Sequence, residues 1–107
     1  MIVTHTSPDM DAIGYVWLMR RFGGGAEQPV AFVNTGSPDP TILADAWSVG
    51  DTGRVFDPAN RRFDHHQLPG RVSNETCATL QAYEWLIAHE ATFELTAIRP
   101  IVEWIFC

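Results

Sequence analysis

The chain has 107 residues, 46% of them apolar and 19% charged, with a net charge of −6 set against seven arginines and no lysine. That length fits one domain, and that balance belongs to a folded core rather than to a disordered segment. It argues against a surface that holds duplex DNA by counterion release and favours one that attracts cations.

In chain order, "MIVTH" at 1–5 predicts a short buried strand that ends in the turn residues of "TSPDMD". From Asp11 to Phe22, Ile13, Val16, Trp17 and Met19 recur at helical spacing, and the glycine run at 23–25 predicts a sharp stop. "PVAFVNTG" predicts a second strand, "SPDP" a loop and "TILADA" one or two helical turns. "WSVGD" and "RVFD" read as short strands around a turn at Thr52-Gly53, and "RRFDHH" as another extended piece. From Glu75 to about Glu90, Leu80, Tyr83, Leu86 and Ile87 make one apolar helical stripe, with Cys77 near its start. "IRPIVEWIFC" is apolar, and Pro100 suits a first helical turn. It is expected to pack on the sheet as a last core helix, with a subunit interface as its other role, so a homo-oligomer through this segment is one expectation.

Strand, helix, strand, then mixed pieces and helices predict an α/β fold with a mostly parallel sheet flanked by helices, in a single domain over 1–107. Cys77 and Cys107 are the only cysteines and are expected to be reduced thiols. The start carries no secretory pattern, and no apolar run approaches a membrane span of about 20 residues, so the expected location is cytoplasmic, with no membrane partner.

Parallel sheets collect ligands at the carboxyl ends of their strands. Three polar clusters are expected there: "HTSPDMDAIG" with His5, Asp9 and Asp11, "SVGDTG" with Asp51, and "FDHH" with Asp64, His65 and His66. Each has an ordinary reading alone. Asp9 or Asp11 would cap a helix, Asp51 would sit in a turn, and a histidine pair would be solvated. Their joint occurrence carries the argument, because four carboxylates in one nest repel one another unless cations occupy it. Mixed imidazole and carboxylate donors suit Mn, Fe, Co or Zn better than Ca or Mg. Two cations sharing one carboxylate are the arrangement used for in-line attack on phosphorus.

"HTSPDMDAIG", Asp51 and "FDHHQ", in that order, resemble the motifs of the DHH phosphoesterase superfamily. The wording of "GDTGRVFDPANRRFDHHQ" is most similar to the branch related to the melanocyte proliferating gene protein, and the likeness covers roughly residues 1–90. The resemblance implies a truncated DHH-type domain with two metal ions, typically Mn, with Mg, Co or Zn as substitutes. In it His5 and Asp9 would hold one ion, Asp51 would bridge, and Asp11 and His65 would hold the second. Asp64 would orient the imidazoles, and His66 would meet a phosphate oxygen or metal-bound solvent, making these two the catalytic pair beside the ligands. Arg62 and Arg71, with Arg54 and Arg61, flank the motifs as candidate contacts to substrate phosphate. The implied activity is hydrolysis of phosphodiester or phosphoanhydride bonds in a nucleotide or short single-stranded oligonucleotide.

Members of the family also supply a later aspartate ligand, whereas no aspartate follows Asp64 here. The alternative is therefore a non-catalytic metal- or nucleotide-binding module derived from such a domain, which a partner chain could complete.

Overall fold

Ile2 and Val3 are both fully buried, on opposite faces of one strand, and this pair sets the layering of the molecule. The computed structural model describes residues 1–34, 39–67, 76–89 and 92–106. Strand β1, Ile2–His5, is followed by helix α1, Met10–Arg21, and strand β2, Val30–Val33. Helix α2 (Pro40–Asp45), strand β3 (Ser48–Gly50), a 3-10 turn (Pro58–Asn60) and strand β4 (Arg62–Phe63) come next. Helix α3, Ala78–His89, then leads to α4 (Phe93–Ala97), α5 (Arg99–Ile101) and a π-helical turn over Val102–Phe106.

The strands form one sheet in the order β2-β1-β3-β4, and every pairing is parallel. The expected parallel α/β architecture is therefore the one observed. Ile2 and Phe63 face α1 and α3, where Tyr15, Leu18, Met19, Ala82, Tyr83 and Leu86 close the larger core. Val3, Val33, Ala46 and Val49 form the smaller core on the other face, covered by Ile42 and Leu43 of α2. Burial on both faces is what a parallel sheet requires of its central strand.

Tyr15 reaches from α1 to the sheet. Its hydroxyl donates to Ser48 Oγ at 2.5 Å, and Ser48 Oγ in turn donates to the Arg61 carbonyl at 2.8 Å. A Cβ at Gly50 would run into the Tyr15 ring, so glycine at the end of β3 is what lets α1 lie this close.

Several local expectations are corrected. The buried face of α1 is Ala12, Gly14, Tyr15, Leu18 and Met19, whereas Ile13 and Trp17 are 47% and 36% exposed. The Tyr15–Ser48 bond fixes the rotation of the helix, which keeps Met19 inside and turns Ile13 and Trp17 outward. "RVFD" forms no strand: its single bridge is Asp57 to Arg62, at the head of the 3-10 turn that Pro58 opens. On α3 the inner face is Ala78, Thr79, Ala82, Tyr83 and Leu86, while Leu80 and Ile87 are only half-buried. Cys77 is disulfide-bonded rather than a reduced thiol. Cys107, the other cysteine, and Arg71 lie outside the described residues. In the last segment Val102 is buried and Ile98 packs on the core, but Trp104 is 85% exposed. No helix among the described residues is long and apolar enough to cross a membrane.

Candidate metal centre

With every strand parallel, the carboxyl ends lie at one edge, and the three polar clusters leave the sheet there. His5 is the last residue of β1, Asp51 follows β3 and Asp64 follows β4. Asp9 caps α1 by accepting from the Ala12 amide at 2.9 Å through Oδ1, the same oxygen that faces His5.

Asp51 is the centre of the arrangement. One carboxylate oxygen, Oδ2, stands 3.2 Å from His5 Nε2, and the other, Oδ1, stands 4.0 Å from His65 Nε2. His5 Nε2 is also 3.5 Å from Asp9 Oδ1. His5, Asp9 and Asp51 thus offer donor atoms within 4.8 Å of one another, and so do Asp51, Asp64, His65 and His66. The two groups share Asp51. Either could hold a metal ion.

The electrostatics agree with that reading. Burial pushes the Asp51 carboxyl up to about 7, and the charges of Asp11 and Asp9 push in the same direction, against the opposing pull of His5. His5 is raised as well: burial opposes this, but the Thr6 carbonyl and the Asp51 and Asp9 carboxylates outweigh it. The His5 Nδ1–H donates to Thr6 O at 2.8 Å, which leaves Nε2 as the atom facing the two acids. Asp9 is lowered: its own burial is outweighed by the Ala12 amide and by His5. His66 is raised, chiefly by its hydrogen bond to Asp64.

Asp64 bonds one of the imidazoles and is also among the residues that could hold an ion. Its side chain is fully buried, and Oδ1 accepts from His66 Nδ1 at 2.6 Å. Oδ2 is buried without a hydrogen-bond partner. An uncompensated buried carboxylate oxygen is costly, and a cation in the Asp51–Asp64–His65–His66 group would compensate it. The donor set therefore fits a metal: hard carboxylate oxygens, imidazole nitrogens and one orphaned acceptor.

The remaining candidates are placed otherwise. Asp11 accepts from the Ala78 amide at 3.1 Å, the Thr79 amide at 2.7 Å and Thr79 Oγ1 at 2.8 Å, so it caps α3. It joins neither group, although its charge is felt at Asp51. Arg62 turns away from the edge and donates to the carbonyls of Leu43, Ala44, Ala46, Trp47 and Asn60. Arg61 donates to the Trp47 carbonyl and lies over the Trp47 ring at 4.7 Å. His89 lies away from the edge, exposed and stacked on Trp85.

Gln81 was not legible as part of the site. It is the buried polar residue of α3 whose Nε2 donates to the Asp64 carbonyl at 2.8 Å. A glutamine among the buried residues of a mostly apolar helix face was the signal available. No protein-family model, curated protein or solved structure matches the chain.

Proposed function

We propose that the chain is a divalent-metal-dependent phosphoesterase domain acting on phosphodiester or phosphoanhydride bonds of a nucleotide or short single-stranded oligonucleotide. The observation that supports it most is Asp51, whose two oxygens face His5 and His65 from between two donor groups that share it. That is the shape of a bridging ligand. When bound, a pair of ions would polarise a phosphoryl oxygen and make water a nucleophile at neutral pH. Mn fits the mixed nitrogen and oxygen set, with Co, Zn or Mg as substitutes.

The protein's own residues would do the rest. His5 and Asp9 present donors on one side of Asp51, and Asp64, His65 and His66 on the other. His66 is the most exposed of these imidazoles, with over half its side chain open, so it is the one placed to meet a substrate oxygen. Asp64 fixes its ring by accepting a hydrogen bond from Nδ1–H.

A second reading is supported by the arginines. Arg61 and Arg62 are both engaged with backbone carbonyls rather than turned to the carboxyl edge. Neither of these two guanidiniums is offered to a transferring phosphate, and a centre that gains no such donor elsewhere would bind a metal or nucleotide without turnover.

Purified protein with Mn and a panel of activated phosphodiesters, dinucleotides and short oligonucleotides separates the two readings. Metal-dependent hydrolysis that disappears in Asp51→Ala and His65→Ala supports the enzyme. Tight metal binding without hydrolysis of any substrate supports the binding module. Absence of metal binding overturns the enzyme and the metal-binding module alike.

A further inference from the structure

The turn that carries three of the four donors in the second group leaves the sheet from an edge strand of two residues, which alone gives little to aim it. β4 is Arg62–Phe63, and its last ladder bond is the Asp51 amide to the Phe63 carbonyl at 2.9 Å. The next carbonyl, that of Asp64, has no neighbouring strand to pair with among the described residues. Gln81 takes that place from above the sheet, donating from Nε2 at 2.8 Å. Its other amide atom, Oε1, is buried without a partner.

Helix α3 is tied at its first turn as well. Asp11, two residues beyond the Asp9 donor on α1, holds the Ala78 and Thr79 amides. One helix therefore bridges the two donor groups from outside: Asp11 joins it to the His5–Asp9 side, and Gln81 joins it to the Asp64–His65–His66 side. Asp51 joins the same two groups from inside.

We propose that Gln81 is a positioning residue. By holding the Asp64 carbonyl it sets the direction in which Asp64, His65 and His66 leave β4, and so brings their donor atoms onto Asp51. The inference rests on the metal-centre reading above. The orphaned Oε1 distinguishes this role from simple packing. A buried amide with one half unsatisfied gives the fold little net gain over an apolar residue of the same shape.

The experiment titrates Mn into the protein and follows the free-ion signal by electron paramagnetic resonance, in wild type, Gln81→Met and Tyr83→Phe. Tyr83, on the same helix, bonds to the Leu95 carbonyl and serves as the control for general loosening of α3. Wild type is expected to bind two ions. Gln81→Met should keep the first affinity, lose roughly 10- to 100-fold in the second, and melt within about 4 °C of wild type. Tyr83→Phe should bind both ions as wild type does. Equal affinities in wild type and Gln81→Met would overturn the proposal while leaving the metal centre standing. An equal loss in Tyr83→Phe would also overturn it, by showing that any weakening of the helix suffices. No binding in wild type would remove the centre itself, and the proposal with it. Should the methionine variant fold poorly, Gln81→Leu repeats the test with a side chain that has no donor at any pH.

Discussion

Asp51 concentrates two unfavourable features in one residue. Its φ is +57°, a left-handed conformation unusual outside glycine, and its carboxyl is only 5% exposed. The folded group titrates near 7 against 3.8 ordinarily, so between those values the native state holds a proton that the unfolded chain has released. Stability of the metal-free protein should then fall as pH rises from about 4 to about 7, by on the order of 4 kcal/mol. His5 and His66, also raised, add to the fall, since each loses its stabilising charge as pH passes its folded value. Asp9, lowered, acts in the opposite sense and only in acid, below its usual 3.8. Thermal melts from pH 4 to pH 8 should show this decline, and saturating Mn should reverse it most strongly at pH 8, where no proton competes. Asp51→Asn should stabilise the metal-free protein at pH 8 by about 1–3 kcal/mol, measured by urea unfolding, while abolishing metal binding. A gain in stability together with a loss of binding is the signature of strain kept for a site.

At the scale of elements, α3 depends on a carboxylate from another helix. Its first-turn amides are capped by Asp11, and Thr79 Oγ1 donates to both the side chain and the carbonyl of Asp11. Asp11→Ala should therefore cost about 2–3 kcal/mol of stability, seen as a lower urea midpoint with or without Mn. A variant that loses an ion while its midpoint is unchanged would return Asp11 to the ligand set. The sequence pattern made α1 and α3 readable and placed Met19, Tyr83 and Leu86 in the core, but it put Ile13 and Trp17 on the inner face of α1, where they are not. Ile13 and Trp17 look like core by spacing, yet Tyr15 decides the rotation through a hydroxyl bond to Ser48, 33 residues away. No local periodicity contains that information. The His5–Asp9 pair was legible for the opposite reason, since residues i and i+4 at a strand-to-helix turn lie close whatever the rest of the chain does. The role of Asp64 was not, because whether a carboxylate oxygen is orphaned depends on everything packed around it.

Across the whole molecule, the four parallel strands put every carboxyl end on one side, and that placement gathers acids from positions 9, 51 and 64. The expectation of a carboxyl-edge cluster followed from strand order alone, which is why motifs far apart in sequence were readable together. The outer surface is less tidy. Phe93 and Trp104 are 91% and 85% exposed. Large aromatic side chains left open to this degree favour association of copies. Light scattering after size exclusion should find a dimer in wild type and a monomer in Trp104→Glu. A wild-type monomer would assign the C-terminal aromatics no such role.

Arg62 has a consequence for chemical labelling. A guanidinium surrounded by five peptide oxygens has no free edge for a dicarbonyl reagent to condense with, whereas the exposed Arg20 makes a single bond, to the Ala26 carbonyl. Mass spectrometry after brief treatment should find the adduct on the peptide holding residue 20 and none at residue 62 until denaturant is added. The delay before residue 62 reacts then becomes a clock for the opening of the α2–β4 corner.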